Sequence, residues 1–185
     1  MDSTEIVRRL KEATVEMYQL GLTFTGSMIP PIPENCTSLP AGPVRFVVEV
    51  RHLTDAAVAA TMGKEPTGEA TIDDYGGTVH VYGSEDGLEH LRFDCFDGKP
   101  HYHYANNAEG RNTVCRIDQH AEGDPIQWTL GRLRDRLPDM LDYAGVPELA
   151  ALVRQRHDEV VGVVDDVEKI LRQAQDRARA EWATV

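Results

Sequence analysis

Five of the seven histidines in this 185-residue chain, His80, His90, His101, His103 and His120, fall between residues 80 and 120. They stand among Arg92, Asp94, Arg116 and Asp118. Imidazole is the side chain that most readily moves protons or binds transition metals near neutral pH. His101-x-His103 would set two imidazoles on one side of a strand, roughly 6.5–7 Å apart at the backbone. Two such rings can share one ion if a neighbouring strand supplies a third ligand. His80, His90, His120, Asp94 and Glu109 are the candidates for it. Without metal, one histidine can serve as base and another as acid, while Arg92 or Arg116 stabilises an oxyanion or a phosphate. A third use is recognition of a small anion by the arginines and imidazoles. The residues expected to carry catalysis are His101, His103, Arg92, Asp94, Arg116 and Asp118. The expected metal ligands are His101, His103, His90 and His120, for a divalent transition metal if a cofactor is used.

All of this depends on pleat parity, because successive side chains of a strand face opposite sides. In LEHLRFDCF, His90, Arg92 and Asp94 share one side, and Leu91, Phe93 and Cys95 the other. His101 and His103 alternate with Tyr102 and Tyr104, and Arg116, Asp118 and His120 alternate with Cys115 and Ile117. If the registers agree, the polar rows stack into one patch; a one-residue slip scatters it. The plain alternative is a solvated sheet face whose Arg–Asp pairs only stabilise the sheet.

The elements follow from periodicity. Ile6, Leu10, Ala13, Met17 and Leu20 form the apolar stripe of a first helix, with Asp2 and Glu5 at capping-box spacing. Residues 28–43 hold five prolines and read as an extended connector along the surface. Residues 44–53 are rich in β-branched residues and read as a strand. DAAVAATM reads as a short helix, and residues 63–77 as a polar loop. Four short alternating segments then form an antiparallel meander, with Asp97-Gly98 as its sharpest hairpin turn. After His120 the period becomes helical. Asp124 and Pro125 open a helix that Pro138 should interrupt. From Pro147 one helix is expected to run to about residue 183, with a near-heptad seam that Arg156 and Gly162 disturb.

PHYHYANNAEG resembles the first half of a cupin metal motif, with His101, His103 and Glu109 in the ligand order. The second half is missing, since the chain turns helical after His120. A closer likeness is carried by Arg92-Phe93-Asp94, a hairpin, and Pro100-His101-Tyr102-His103. This stretch is similar to the Arg-x-Asp…Pro-His-x-His core of small TumE-type toxin proteins and related uncharacterised domains. The resemblance covers about fifteen residues. It implies a compact α+β domain with an RNA- or nucleotide-directed activity carried by Arg92, Asp94, His101 and His103. This chain departs from that pattern in being longer and more acidic and in having a long C-terminal helix.

Composition bounds the partners. Nineteen basic against thirty-one acidic residues give −12, which works against a broad nucleic-acid surface but not against a local basic cleft. Arg132 and Arg136, four apart, could form such an edge for a phosphate if their helix borders the sheet. No run of apolar residues suits a membrane span. The first twenty residues lack the order of a secretory signal, and three irregularly spaced cysteines make no disulfide framework. A cytoplasmic home is therefore expected. The expected fold is α+β: an antiparallel sheet of four or five strands, helices on one face and a long C-terminal helix. Residues 1–146 would form the α+β domain, and residues 147–185 a helical segment that packs on it or oligomerises. The expected function is that of a small enzyme or ligand-binding protein acting on a small, anionic substrate through the His/Arg/Asp face. The competing reading is an interaction protein that forms a homodimer through its C-terminal helix.

Overall fold

The computed structural model describes residues 20–25, 28–61 and 72–183. The helix expected before Leu20 and most of the expected 63–77 loop lie outside the described residues. Among the described residues the sheet has seven strands: β1 (Leu22–Thr25), β2 (Cys36–Ala41), β3 (Val44–Thr54), β4 (Asp73–Gly83), β5 (Glu89–Phe96), β6 (His101–Asn106) and β7 (Arg111–Arg116). Their order is β1-β7-β6-β5-β4-β3-β2, and every neighbouring pair is antiparallel. The expected four or five strands are thus exceeded at both edges. The proline-rich connector is not extended coil throughout, because β2 lies within it. Pro40 is accommodated there because β2 is an edge strand, where a missing N–H need not break a ladder. At the other end, residues 73–77, expected in a loop, extend β4 and pair with β3.

Short helices alternate with breaks. They are α1 (Asp55–Thr61), α2 (Gln119–Glu122), α3 (Pro125–Asp135), α4 (Leu137–Tyr143), α5 (Pro147–Gln155), α6 (His157–Val161) and α7 (Val164–Trp182). Asp124 caps α3 by accepting from the Ile126 N–H at 2.9 Å, and Pro125 occupies the first turn. The helical run breaks at Arg136, so that Pro138 sits in the first turn of α4, where its missing N–H costs little. The single helix expected from Pro147 to residue 183 is instead three segments, broken at Arg156 and at Gly162–Val163. The chain therefore folds back on itself. The seam residues Val153, Val160, Val167 and Ala174 are buried in its own core.

That core lies between the helices and one face of the sheet. Phe46, Val48, Val79, Val81, Leu91 and Phe93 meet Leu130, Leu133, Leu137, Leu141, Val167 and Leu171 in one cluster that spans both sides of residue 146. Helix α7 approaches β3 and β4 very closely. A Cβ on Gly77 would stand 2.6 Å from Leu171 Cδ1 and 3.0 Å from the Leu171 carbonyl oxygen. The Gly77 N–H also donates to Gln175 Oε1 at 2.8 Å. Gly77→Ala is therefore expected to push α7 off the sheet, at a cost of about 1–3 kcal/mol. A urea midpoint equal to that of the parent protein would show that the contact is slack.

Candidate functional site

Register decides what the other face carries. Residues opposite each other in neighbouring strands share a face. One row across the sheet reads Glu49, Thr78, Asp94, His101, Arg116. The next reads Val47, His80, Arg92, His103, Val114. Pleat parity therefore brings His80, Arg92, Asp94, His101, His103 and Arg116 to one surface, two residues deep and several strands wide. The face is not a wet one. Glu49, Arg51, Thr78, His80, Arg92, Asp94 and His103 are buried, His101 is partly exposed, and Arg116, at the end of β7, is open to solvent.

Three of the expected residues stand elsewhere. Asp118 lies past the end of β7 and caps α2, its Oδ1 accepting from the backbone N–H of His120 at 3.0 Å. His120 belongs to that short helix and is exposed. His90 is displaced by a β-bulge: Val81 pairs with Leu91 but Tyr82 pairs with Glu89, leaving His90 as the extra residue. His90 Nε2 lies 2.9 Å from Asp86 Oδ2, and Asn107 Nδ2 donates to its Nδ1 at 3.3 Å. The same bulge turns Glu89 onto the polar face.

Charged groups on this face form two linked clusters. In the first, Arg51 donates to Glu49 Oε2 at 2.6 Å and to the Ile29 carbonyl at 3.1 Å, and the Ile32 N–H donates to Glu49 Oε1 at 2.7 Å. The start of the proline-rich connector is thereby strapped onto the sheet. His80 lies between two carboxylates, its Nδ1 2.7 Å from Glu89 Oε1 and its Nε2 3.1 Å from Glu49 Oε2. A carboxylate can only accept, so both ring nitrogens carry protons and the ring is an imidazolium. Arg92 grips Glu89 with two hydrogen bonds of 2.8 Å.

The titration of these groups follows from their partners. Burial works against a charged His80 ring, but the hydrogen bonds to Glu49 and Glu89 outweigh it and raise the pKa. Burial likewise pushes Glu89 upward. The hydrogen bonds from His80 and Arg92 reverse that and hold it at about 2. Glu49 is also lowered, because His80 and Arg51 overcome its desolvation.

The second cluster centres on Asp94. Its Oδ1 accepts from Thr78 Oγ1 at 2.7 Å. Its Oδ2 lies 3.1 Å from His103 Nε2 and 3.3 Å from His101 Nε2. Burial opposes its ionisation, yet the hydrogen bond from His103 and the fields of His101, His103 and Arg92 keep it well below 3.8. The far nitrogens of both rings are committed. His101 Nδ1 lies 2.8 Å from the Lys99 carbonyl oxygen, and His103 Nδ1 lies 3.1 Å from Asn112 Oδ1. The Lys99 carbonyl oxygen accepts only, so His101 Nδ1 carries the proton; Asn112 turns its oxygen to His103 Nδ1 and so favours the same tautomer there, at the cost of a buried Nδ2 with no partner. Both Nε2 atoms then turn toward one carboxylate oxygen. That convergence of acceptors demands a cation between them, either protons on the rings or a metal ion. Among the described residues, Asp94, His101 and His103 form the one group whose ligand atoms, all within 4.8 Å of one another, suit a metal.

The hairpin fixes this geometry. The Asp74 carboxylate accepts from the Gly98 N–H at 3.0 Å and the Lys99 N–H at 2.6 Å, clamping the Asp97–Pro100 turn that leads into His101. The held Lys99 carbonyl in turn orients the His101 ring. Farther along the same face is a cleft of about 470 Å³, lined by Met28, Pro30, Pro31, Tyr82, Glu89 and Asn112 among others. The connector thus covers part of the polar face.

Sequence reasoning missed Glu49, Arg51, Glu89 and Asn112. Glu49 and Arg51 did leave a signal: two charges at period two inside the apolar strand VRFVVEVRHL share the parity of the polar face. Glu89 left none, because only the bulge puts it there.

The molecule is thus an α+β domain whose antiparallel sheet has one face packed on helices and the other lined by buried charges and an Asp–His–His cluster. Residues 38–171 match a domain of unknown function (DUF7700), and the chain belongs to that family. The matched span includes every site residue from Glu49 to Arg116. No curated protein and no solved structure matches the chain. No helix among the described residues is long and apolar enough to cross a membrane.

Proposed function

We propose that Asp94, His101 and His103 bind a divalent transition metal, and that the protein is a small metal-assisted enzyme acting on an anionic small molecule. The observation that carries this reading is the commitment of both Nδ1 atoms, to the Lys99 carbonyl and to Asn112 Oδ1. Ligating histidines are held in this way, by an acceptor on the nitrogen that does not face the metal. Two histidines and one carboxylate leave further coordination positions for water and substrate, and that ligand set suits iron, zinc or manganese. A bound metal would polarise a substrate oxygen or lower the pKa of a bound water.

Arg116 supports the anionic substrate. It stands opposite His101 in the register, is exposed, and has no acidic partner among the described residues. Arg92, by contrast, is buried and paired with Glu89, so its part is to hold Glu89 and to face Asp94 with positive charge. In the likeness to TumE-type proteins, Arg92, Asp94, His101 and His103 carry the activity. Their common face is compatible with that likeness, and the committed Nδ1 atoms favour metal chemistry at it.

Protein purified without a histidine tag is expected to hold, or to take up, one zinc, manganese, nickel or iron ion per chain and to melt at a higher temperature with it. His101→Ala and His103→Ala are expected to fold like the parent, since His101 is partly exposed and His103 lies at the margin of the buried face, and to lose metal affinity by about 100-fold or more. If elemental analysis finds no metal and none of these ions shifts the melting temperature, the cluster is an imidazolium–carboxylate pair instead.

A further inference from the structure

The strand that carries His101 and His103 carries Tyr102 and Tyr104 on its other side, facing the helices. The Tyr102 ring lies 5.1 Å from that of Trp128 and 5.5 Å from that of Tyr104. Tyr104 in turn lies 4.6 Å from Tyr143. With Arg132 and Arg136 these four rings line an open groove of about 460 Å³ between β6 and helices α3 and α4. Ligand sites for small molecules commonly enclose roughly 300–1,000 Å³. The sequence placed Arg132 and Arg136 on a basic edge of uncertain surroundings; α3 does border the sheet, and that edge opens onto aromatic rings.

Two features set this groove apart from ordinary core packing. Tyr143 is 57% exposed, so its contact with Tyr104 holds an aromatic ring at the surface without burying it. The second feature is charge. The Arg132 guanidinium lies 4.6 Å over the Trp128 ring, and its acidic neighbour Glu122 is 3.7 Å away, too far for a hydrogen bond. Arg136 meets Asp139 at 3.1 Å, but Asp139 also accepts from Arg154 at 2.9 Å. In a chain of net charge −12, this sets two arginines on one edge, with Glu122 only at ion-pair distance and Asp139 shared with Arg154.

We infer that the groove binds a flat aromatic ring bearing an oxyanion, either phosphate or carboxylate. The ring stacks on Tyr104 and Tyr143, and the oxyanion meets Arg132 and Arg136. Stacking on aromatic side chains tolerates any π face, and the guanidinium fork matches both oxyanions. The sheet separates this groove from Asp94, His101 and His103, so the inference stands on its own residues and survives if the proposed metal site fails.

Trp128 and Trp182 are the only tryptophans, and Trp182 packs against His52 rather than in the groove. Trp182→Phe therefore leaves a single indole signal, in the groove, for NMR titration. Phenyl phosphate and benzoate are the probes, with phenol and inorganic phosphate as controls. At least one probe is expected to move the Trp128 indole signal saturably, and to bind at least about tenfold more tightly than either control; which probe prevails identifies the oxyanion. Tyr143→Ala, at an exposed position, and Arg132→Gln are each expected to weaken that probe about tenfold. The inference is overturned if neither probe saturates, if inorganic phosphate binds as tightly as phenyl phosphate, or if both variants bind like the parent.

Discussion

Asp94→Asn is expected to abolish metal binding at the sheet face while leaving the fold intact, and Asp94→Ala to cost the protein much of its stability. The asparagine keeps the shape and a carbonyl oxygen for Thr78 Oγ1, which donates to Asp94 at 2.7 Å. It removes the negative charge toward which His101 and His103 turn their Nε2 atoms. Changing a residue that only holds a ligand in place commonly costs about 10–100-fold in metal affinity, so loss of a charged ligand should cost more than about 100-fold. A competitive chelator titration measures this directly. Alanine does more damage. It leaves Thr78 without its acceptor and takes from the buried Arg92 one of the carboxylates that face it. Removing one partner of a buried ionic group typically costs about 3–5 kcal/mol, read as a lower urea midpoint. Parent-like metal affinity in Asp94→Asn would remove Asp94 from the ligand set. Parent-like stability in Asp94→Ala would mean that water reaches the cluster freely.

How far the sequence reaches is clear from particular residues. Alternation alone placed His80, Arg92, Asp94, His101, His103 and Arg116 on one side of their strands. Register then brought them together, since each hairpin is short enough to fix its own pairing. Parity also separated the Tyr102/Tyr104 side from the histidine side. It failed where the backbone leaves the regular pleat. One inserted residue at His90 exchanges His90 for Glu89 on the polar face, and no residue type in LEHLRF announces the bulge. Parity extended past Arg116 carries Asp118 and His120 into a continuing strand, which the chain does not form. There Asp118 finds a stronger use for its carboxylate at the start of α2.

The plain alternative of a solvated face has a physical origin. A row of Arg, Asp and His in a strand ordinarily means solvent, because burying unpaired charges is costly. Here three cations, Arg51, His80 and Arg92, stand against three carboxylates, Glu49, Glu89 and Asp94, and each carboxylate accepts hydrogen bonds. Balance of that kind depends on contacts between β3, β4 and β5 that are distant in sequence. The helical region shows the same limit. The apolar spacing from Leu149 to Ala174 is that of one long helix, and only Arg156 and Gly162 hint that the chain bends to lay its seam on its own sheet.

His80→Leu is expected to be as destabilising as Asp94→Ala, and its effect should depend on pH. His80 is fully buried between Glu49 and Glu89, so its removal leaves one buried and one mostly buried carboxylate with one bridging cation fewer. The loss should be about 3–5 kcal/mol at neutral pH, as for other broken buried pairs. The folded ring titrates above its ordinary 6.5 because both nitrogens donate to carboxylates. A group whose pKa rises on folding binds its proton more tightly in the folded chain. Its contribution is therefore complete below about pH 6.5 and fades as pH climbs through the raised value. The parent should accordingly lose stability on the alkaline side of neutrality, beginning above pH 6.5. In His80→Leu that part of the pH dependence should be absent, and the two stability curves should converge as pH rises. Urea midpoints for both proteins at pH 6, 7.5 and 9 measure the difference. A gap that stays constant across this range would show that His80 is neutral when folded. One of its two carboxylate contacts would then have to be shared through a proton held by Glu49 or Glu89, against the direction in which both of those groups are shifted.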